Sequence, residues 1–140
     1  MACSWKAQII QWTEHPRAIE GKIDASFFPG VPATGIEEWE RTNEVTLPVE
    51  IRSYVLTSNG LEAQRGEIWP VLPLSEWQVV SQECSTPHPW IQFGETREYI
   101  YLLSLGHSPS IYRYARFGSD EEFFAPSFSQ YLEKIFRGEG

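Results

Sequence analysis

Leu47-Pro48-Val49-Glu50-Ile51-Arg52-Ser53-Tyr54-Val55-Leu56-Thr57-Ser58-Asn59-Gly60 is the stretch on which the fold turns. Pro48 suits the first position of a helix, where its missing N–H satisfies no bond anyway. Ile51, Tyr54, Val55 and Ser58 then recur at helical spacing and form a stripe to be buried. Gly60, after Asn59, can take the left-handed conformation that stops a helix. Upstream, Thr34 and Glu37 have the S/T-x-x-E spacing of a capping box. Ile36, Trp39, Glu40 and Asn43 follow on one face, and Glu37, Glu38, Arg41 and Glu44 lie on the solvated sides. Only Val45, Thr46 and Leu47 join the two helices, so they must form a compact pair.

Further out, Trp5, Ile9 and Trp12 are spaced as on a helix that ends before Pro16. Residues 13–35 show no sustained period, and Phe28-Pro29-Gly30-Val31-Pro32 reads as a turn-rich connector. Past Gly60 the period changes. Segments 67–72, 90–93, 98–105 and 110–117 are short, rich in aromatic and β-branched residues, and separated by turns, which predicts an antiparallel meander. Pro70 and Pro73 predict that the first of them is an edge strand or leaves the sheet there. Residues 75–80 read as a helical turn. A last helix opens with Ser127 and Gln130 as a second capping box, and Phe128, Tyr131, Leu132, Ile135 and Phe136 give it a full apolar stripe. Lys134 and Arg137 suit its C-terminal end and Gly138 its stop. Helices segregated from strands predict an α+β domain: an antiparallel-rich sheet of about four to six strands, flanked by N-terminal helices and a C-terminal helix.

At 140 residues the chain fits one domain, 1–140, able to bury a core without a disulfide or metal. Six tryptophans exceed what one core of this size needs, so some suit a binding surface, unless all pack in the core or at its edge. The formal net charge of −8 disfavours nucleic acid and anionic membranes and favours a basic protein partner. Cys3 and Cys84 stand alone, as thiols do in a reducing compartment. The N-terminus lacks a signal-peptide layout, and no apolar run approaches the length of a membrane helix. The expectation is a soluble, cytoplasmic protein.

Little in the sequence points to chemistry. His15, His88 and His107 are too dispersed for a local metal motif, and Cys84 with His88 lies in a Ser/Thr/Pro-rich segment unsuited to a nucleophile. Glu37-Glu38 and Glu121-Glu122 are adjacent pairs of the solvated kind, and no phosphate-binding or nucleophile-elbow motif occurs. Catalytic, cofactor-binding and metal residues are therefore each expected to be none.

The run Ile36-Glu37-Glu38-Trp39-Glu40, then Leu47-Pro48 through Tyr54 to Asn59-Gly60, resembles the core signature of the SUKH superfamily, named partly for yeast cell-wall assembly regulators. Pro73-Leu74-Ser75-Glu76-Trp77 is similar to its proline-leucine-x-x-tryptophan segment, and Ser127-Phe128 to the start of its closing helix. Together the pieces span 36–136. The resemblance implies a non-catalytic protein-binding domain: in bacteria mostly an immunity protein that neutralises a toxin domain, often a nuclease, and in eukaryotes an adaptor. A toxin domain with a basic surface is the implied partner, met by a monomer or weak homodimer. The alternatives are an adaptor for a non-toxin partner and a small hydrolase or ligand-binding enzyme. For an acidic inhibitor the partner-binding candidates are Glu95, Glu98, Asp120, Glu121 and Glu122 with Tyr99, Tyr101, Tyr112 and Tyr114. Each tyrosine pair is two apart and so shares one face of its strand. The tyrosines can equally belong to the core, and 120–122 can be a plain solvated turn.

Overall fold

A computed structural model describes residues 25–63, 68–80, 90–105, 110–116, 118 and 121–136. The helix expected over 5–12, both cysteines, all three histidines and Asp120 lie outside these residues. In chain order come β1 (Ala25–Phe27), α1 (Ala33–Asn43), α2 (Val49–Thr57), β2 (Leu61–Ala63), β3 (Ile68–Val71) and a 3₁₀ turn (Leu74–Glu76). They are followed by β4 (Gln78–Val80), β5 (Trp90–Glu95), β6 (Tyr99–Ser104), β7 (Ser110–Ala115), β8 (Glu122–Ala125) and α3 (Phe128–Phe136). The strands form one eight-stranded sheet in the order β1-β2-β3-β5-β6-β7-β8, with β4 pairing on β5. Every pairing is antiparallel. The fold is α+β, as read from the sequence. The sheet is wider than expected because β1, β2 and β4 have three residues each, too few to show an alternating pattern.

Several local expectations give way to tertiary contacts. Helix α1 starts at Ala33 behind Pro32 with no side-chain cap, so the Thr34–Glu37 box does not form: Thr34 is already inside the first turn. Glu44, with φ 57°, supplies the left-handed stop. Glu40 joins α1 to α2, its carboxylate accepting the Leu47 amide at 2.7 Å and pairing with Arg52 at 2.7 Å. Pro48 sits one residue before the first turn of α2. That helix ends at an extended Ser58, and Gly60, at φ +102°, serves the turn into β2 instead of capping the helix. Strand β3 is interior, not an edge. Pro70 is tolerated there because the β2–β3 register slips between Leu61↔Val71 and Ala63↔Ile68. Residues 75–80 divide between the 3₁₀ turn and β4, and Glu122 begins a strand instead of lying in a turn.

The core lies between the helices and one face of the sheet. All five stripe residues of α3 are buried, as are Ile51, Tyr54 and Val55 of α2. Aromatic rings dominate the contact. Phe128 meets Tyr54 edge-on at 5.2 Å, Tyr131 meets Phe93 at 5.2 Å and Tyr101 at 4.9 Å, and Tyr101 meets Phe124 at 5.2 Å. The start of α3 is capped twice. Ser127 Oγ accepts the Gln130 amide at 3.2 Å, and Glu50 of α2 accepts the amides of Phe128 and Ser129 at 2.8 and 3.2 Å. A carboxylate at that end also suits the helix dipole.

The buried tyrosine hydroxyls are not equivalent. Tyr131 donates to the Pro70 carbonyl at 2.7 Å and Tyr54 to the Gly60 carbonyl at 3.2 Å, whereas the Tyr101 hydroxyl, beside the Arg113 guanidinium, makes no hydrogen bond of good geometry among the described residues. Tyr131→Phe should therefore destabilise by about 1–3 kcal/mol, because it orphans a buried carbonyl. Tyr101→Phe should change stability by less than about 1 kcal/mol, since its polar neighbour, the Arg113 guanidinium, keeps its pairing with Glu122. Paired urea denaturations read this directly, and a loss for Tyr101→Phe as large as for Tyr131→Phe would overturn it.

Candidate binding surfaces

Register decides which sequence candidates reach solvent. On β6, Tyr99 and Tyr101 point to the core side. Tyr101 is fully buried, so it belongs to the core and offers a partner nothing. Tyr99 is half-buried beneath the Arg113 guanidinium, 3.9 Å from its ring centroid. Tyr112 and Tyr114 take the opposite face of β7. There Trp69, Glu95, Ile100 and Tyr114 form one row across the sheet, and Gln92, Leu102, Tyr112 and Phe123 the next. Trp90 and Leu102 are buried on this face, apart from the main core, so its centre is closed to solvent. What it presents is its margin: half-buried Tyr112 and Tyr114, and Phe123, which is 56% exposed on the outer strand β8.

The carboxylates do converge. Glu95 and Glu98 flank the β5–β6 turn, and Glu122 pairs with Arg113 near the far end of β7, which puts them with Glu121 at one end of the sheet. They are not a bare acidic patch. Glu122 is paired with Arg113 at 2.6 Å and Glu95 with Arg116 at 3.0 Å. Arg116 also donates to the carbonyls of Thr96 and Arg97, clamping the hairpin tip. Glu98 is exposed and Glu121 half-buried. The result is a stiff, charge-laced rim beside an exposed phenylalanine.

Sequence reasoning passed over Phe123, although in Glu122-Phe123-Phe124-Ala125 the alternation puts one phenylalanine out and one in. It also read Phe28-Pro29-Gly30-Val31-Pro32 as a turn-rich connector, whereas this segment walls a groove near β1 and β3, with Trp69 in its lining. A hollow of about 550 Å³ is lined by Phe28, Pro29, Val31, Trp69 and Pro73 among others. A neighbouring hollow of about 350 Å³ continues it along α1 past Glu38 and Trp39. The two share Val31 and Asn59.

Among the described residues no group of three or more His, Cys, Asp or Glu is placed to hold a metal ion. None of the described helices is long and apolar enough to cross a membrane. No curated protein matches the chain closely enough to count as a relative. The family model described as the SMI1 / KNR4 family (SUKH-1) matches residues 30–134. That span runs from Gly30 through α1, α2 and the sheet into α3, and on it the chain belongs to the SMI1 / KNR4 (SUKH-1) family.

Proposed function

We propose that the chain is a non-catalytic, cytoplasmic protein-binding domain of the immunity type, which binds a toxin domain with a basic surface and blocks it. The observation that carries this reading is the gathering of Tyr112, Tyr114 and Phe123 beside Glu98 and Glu121 at one end of the sheet of a SUKH-1 domain. Aromatic side chains supply the bulk of binding energy in such interfaces, ringed by polar groups that exclude water. The ion pairs of Arg113 and Arg116 fix the strands beforehand, so little order is lost on binding. The overall charge of −8 raises the association rate with a basic partner.

A neighbouring gene is expected to encode a toxin domain, and that domain is the partner to test. Phe123→Arg and Tyr114→Ala should each weaken the complex by about 30-fold or more, the loss typical of an interface hot spot. Glu98→Arg should mainly slow association. Isothermal titration and stopped-flow measurements on variants of unchanged melting temperature report both effects. Wild-type affinity in all three would place the interface elsewhere.

A further inference from the structure

The groove between the 28–32 segment, α1 and the 3₁₀ turn has a fixed wall and a lining of defined chemistry. Phe28 and Trp69 stack at 5.7 Å with ring planes 14° apart, giving a flat aromatic floor. The wall beside it is fixed. Val31 donates to the Val55 carbonyl at 2.9 Å, Asn59 donates to the Pro29 carbonyl at 3.1 Å, and a β-carbon at Gly30 would stand 1.8 Å from the Leu56 carbonyl oxygen. The strap therefore lies directly on α2 and cannot collapse into the groove. Where the hollows meet, the Asn59 Oδ1 accepts the Leu74 amide at 2.8 Å. Its Nδ2 donors are left with no acceptor among the described residues, so they suit a peptide carbonyl. Farther along, Trp39 is braced edge-on against Trp77 at 5.9 Å. Glu38, exposed, is the one charged residue among those lining either hollow.

We infer that this groove is a second binding site, centred on α1 and the 28–32 segment and adjoining the sheet-end surface where Trp69 pairs with Glu95, which takes an extended peptide segment carrying an arginine or lysine. The extended backbone lies on the Phe28–Trp69 floor, as polyproline-type segments lie on aromatic-lined grooves. The cation sits between the Trp39 ring and the Glu38 carboxylate, joining a cation–π contact to an ion pair. A lining with one carboxylate and no cation, on a chain of charge −8, selects against acidic segments. The inference does not depend on a toxin being the partner at the other surface.

The probe is an acetylated peptide of alternating arginine and proline, about eight residues long and so roughly 25 Å extended. It is titrated into the full chain by calorimetry beside its glutamine–proline and glutamate–proline counterparts. Saturable binding of the arginine peptide with Kd on the order of 100 µM or tighter is expected, and none with the glutamate peptide. Glu38→Arg, a change at an exposed position, should weaken binding about two- to fivefold, the scale of one surface ion pair. Trp69→Ala should weaken it at least as much if the variant keeps its melting temperature. Glu121→Arg, at the sheet end, should leave peptide affinity unchanged while altering the toxin interface. No saturable binding, equal binding of the glutamine peptide, or equal loss in Glu38→Arg and Glu121→Arg would each overturn the proposal.

Discussion

Gly94→Ala is expected to destabilise the domain by about 3–5 kcal/mol and to lower its melting temperature by roughly 10 °C or more. A β-carbon at Gly94 would stand 2.2 Å from the Pro70 carbonyl oxygen and 3.0 Å from the Tyr131 hydroxyl. Gly94 lies where the β5–β6 register slips, at the point where β3 crosses closest to β5. A backbone carbonyl cannot swing aside as a side chain does. Relief requires parting β3 from β5, which also breaks the Tyr131–Pro70 hydrogen bond and leaves two buried polar groups unsatisfied. Overpacking alone costs about 1–3 kcal/mol, and the orphaned pair supplies the rest. Thermal denaturation followed by circular dichroism checks this. A shift of less than about 3 °C would mean that the strands part easily.

Alkaline pH should unfold the protein cooperatively. Burial raises the pKa of Tyr54, Tyr101 and Tyr131, with the Arg113 charge offsetting part of the rise at Tyr101. In the unfolded chain these phenols ionise near their ordinary pKa of about 10. Below that pH both states are protonated and the stability is fully present. Above it the unfolded state loses protons that the native state keeps, so stability falls by about 1.4 kcal/mol per pH unit for each group. Tyr54 and Tyr131 together give roughly 3 kcal/mol per unit, with Tyr101 adding to the early part of the fall, enough to approach a typical domain's stability within about two units above pH 10. Tyrosinate absorbance of these groups should therefore appear together with the loss of helical circular dichroism. Their full ionisation in a chain that keeps its native spectrum would contradict the burial.

Helices α2, with its proline start, and α3, with its Ser127–Gln130 box, were legible because each carries its own start signal and its own buried face. The short strands were not. Leu61–Ala63 and Gln78–Val80 are strands only because a neighbour at the right distance completes them. Pro70 misled for the same reason: its place inside the sheet depends on a register slip against β2, a feature of another segment. Spacing showed that Tyr99 and Tyr101 share a face and that Tyr112 and Tyr114 share one. It could not show that the first pair faces α3 and the second faces away. Likewise Glu95 and Glu122 read as surface charge in one dimension, yet they find Arg116 and Arg113 from residues 21 and 9 positions away. The groove escaped notice because its walls come from residues 28–32, 35–42, 59, 69 and 73–75, and only the fold brings these together.

The most direct test of the proposed blocking role is co-expression in bacteria with whatever toxin domain a neighbouring gene encodes. The account predicts that the wild-type chain restores growth and co-purifies with the toxin as a stable complex, while Phe123→Arg restores little. Growth arrest despite abundant, folded wild-type protein, with no complex recovered, would contradict it.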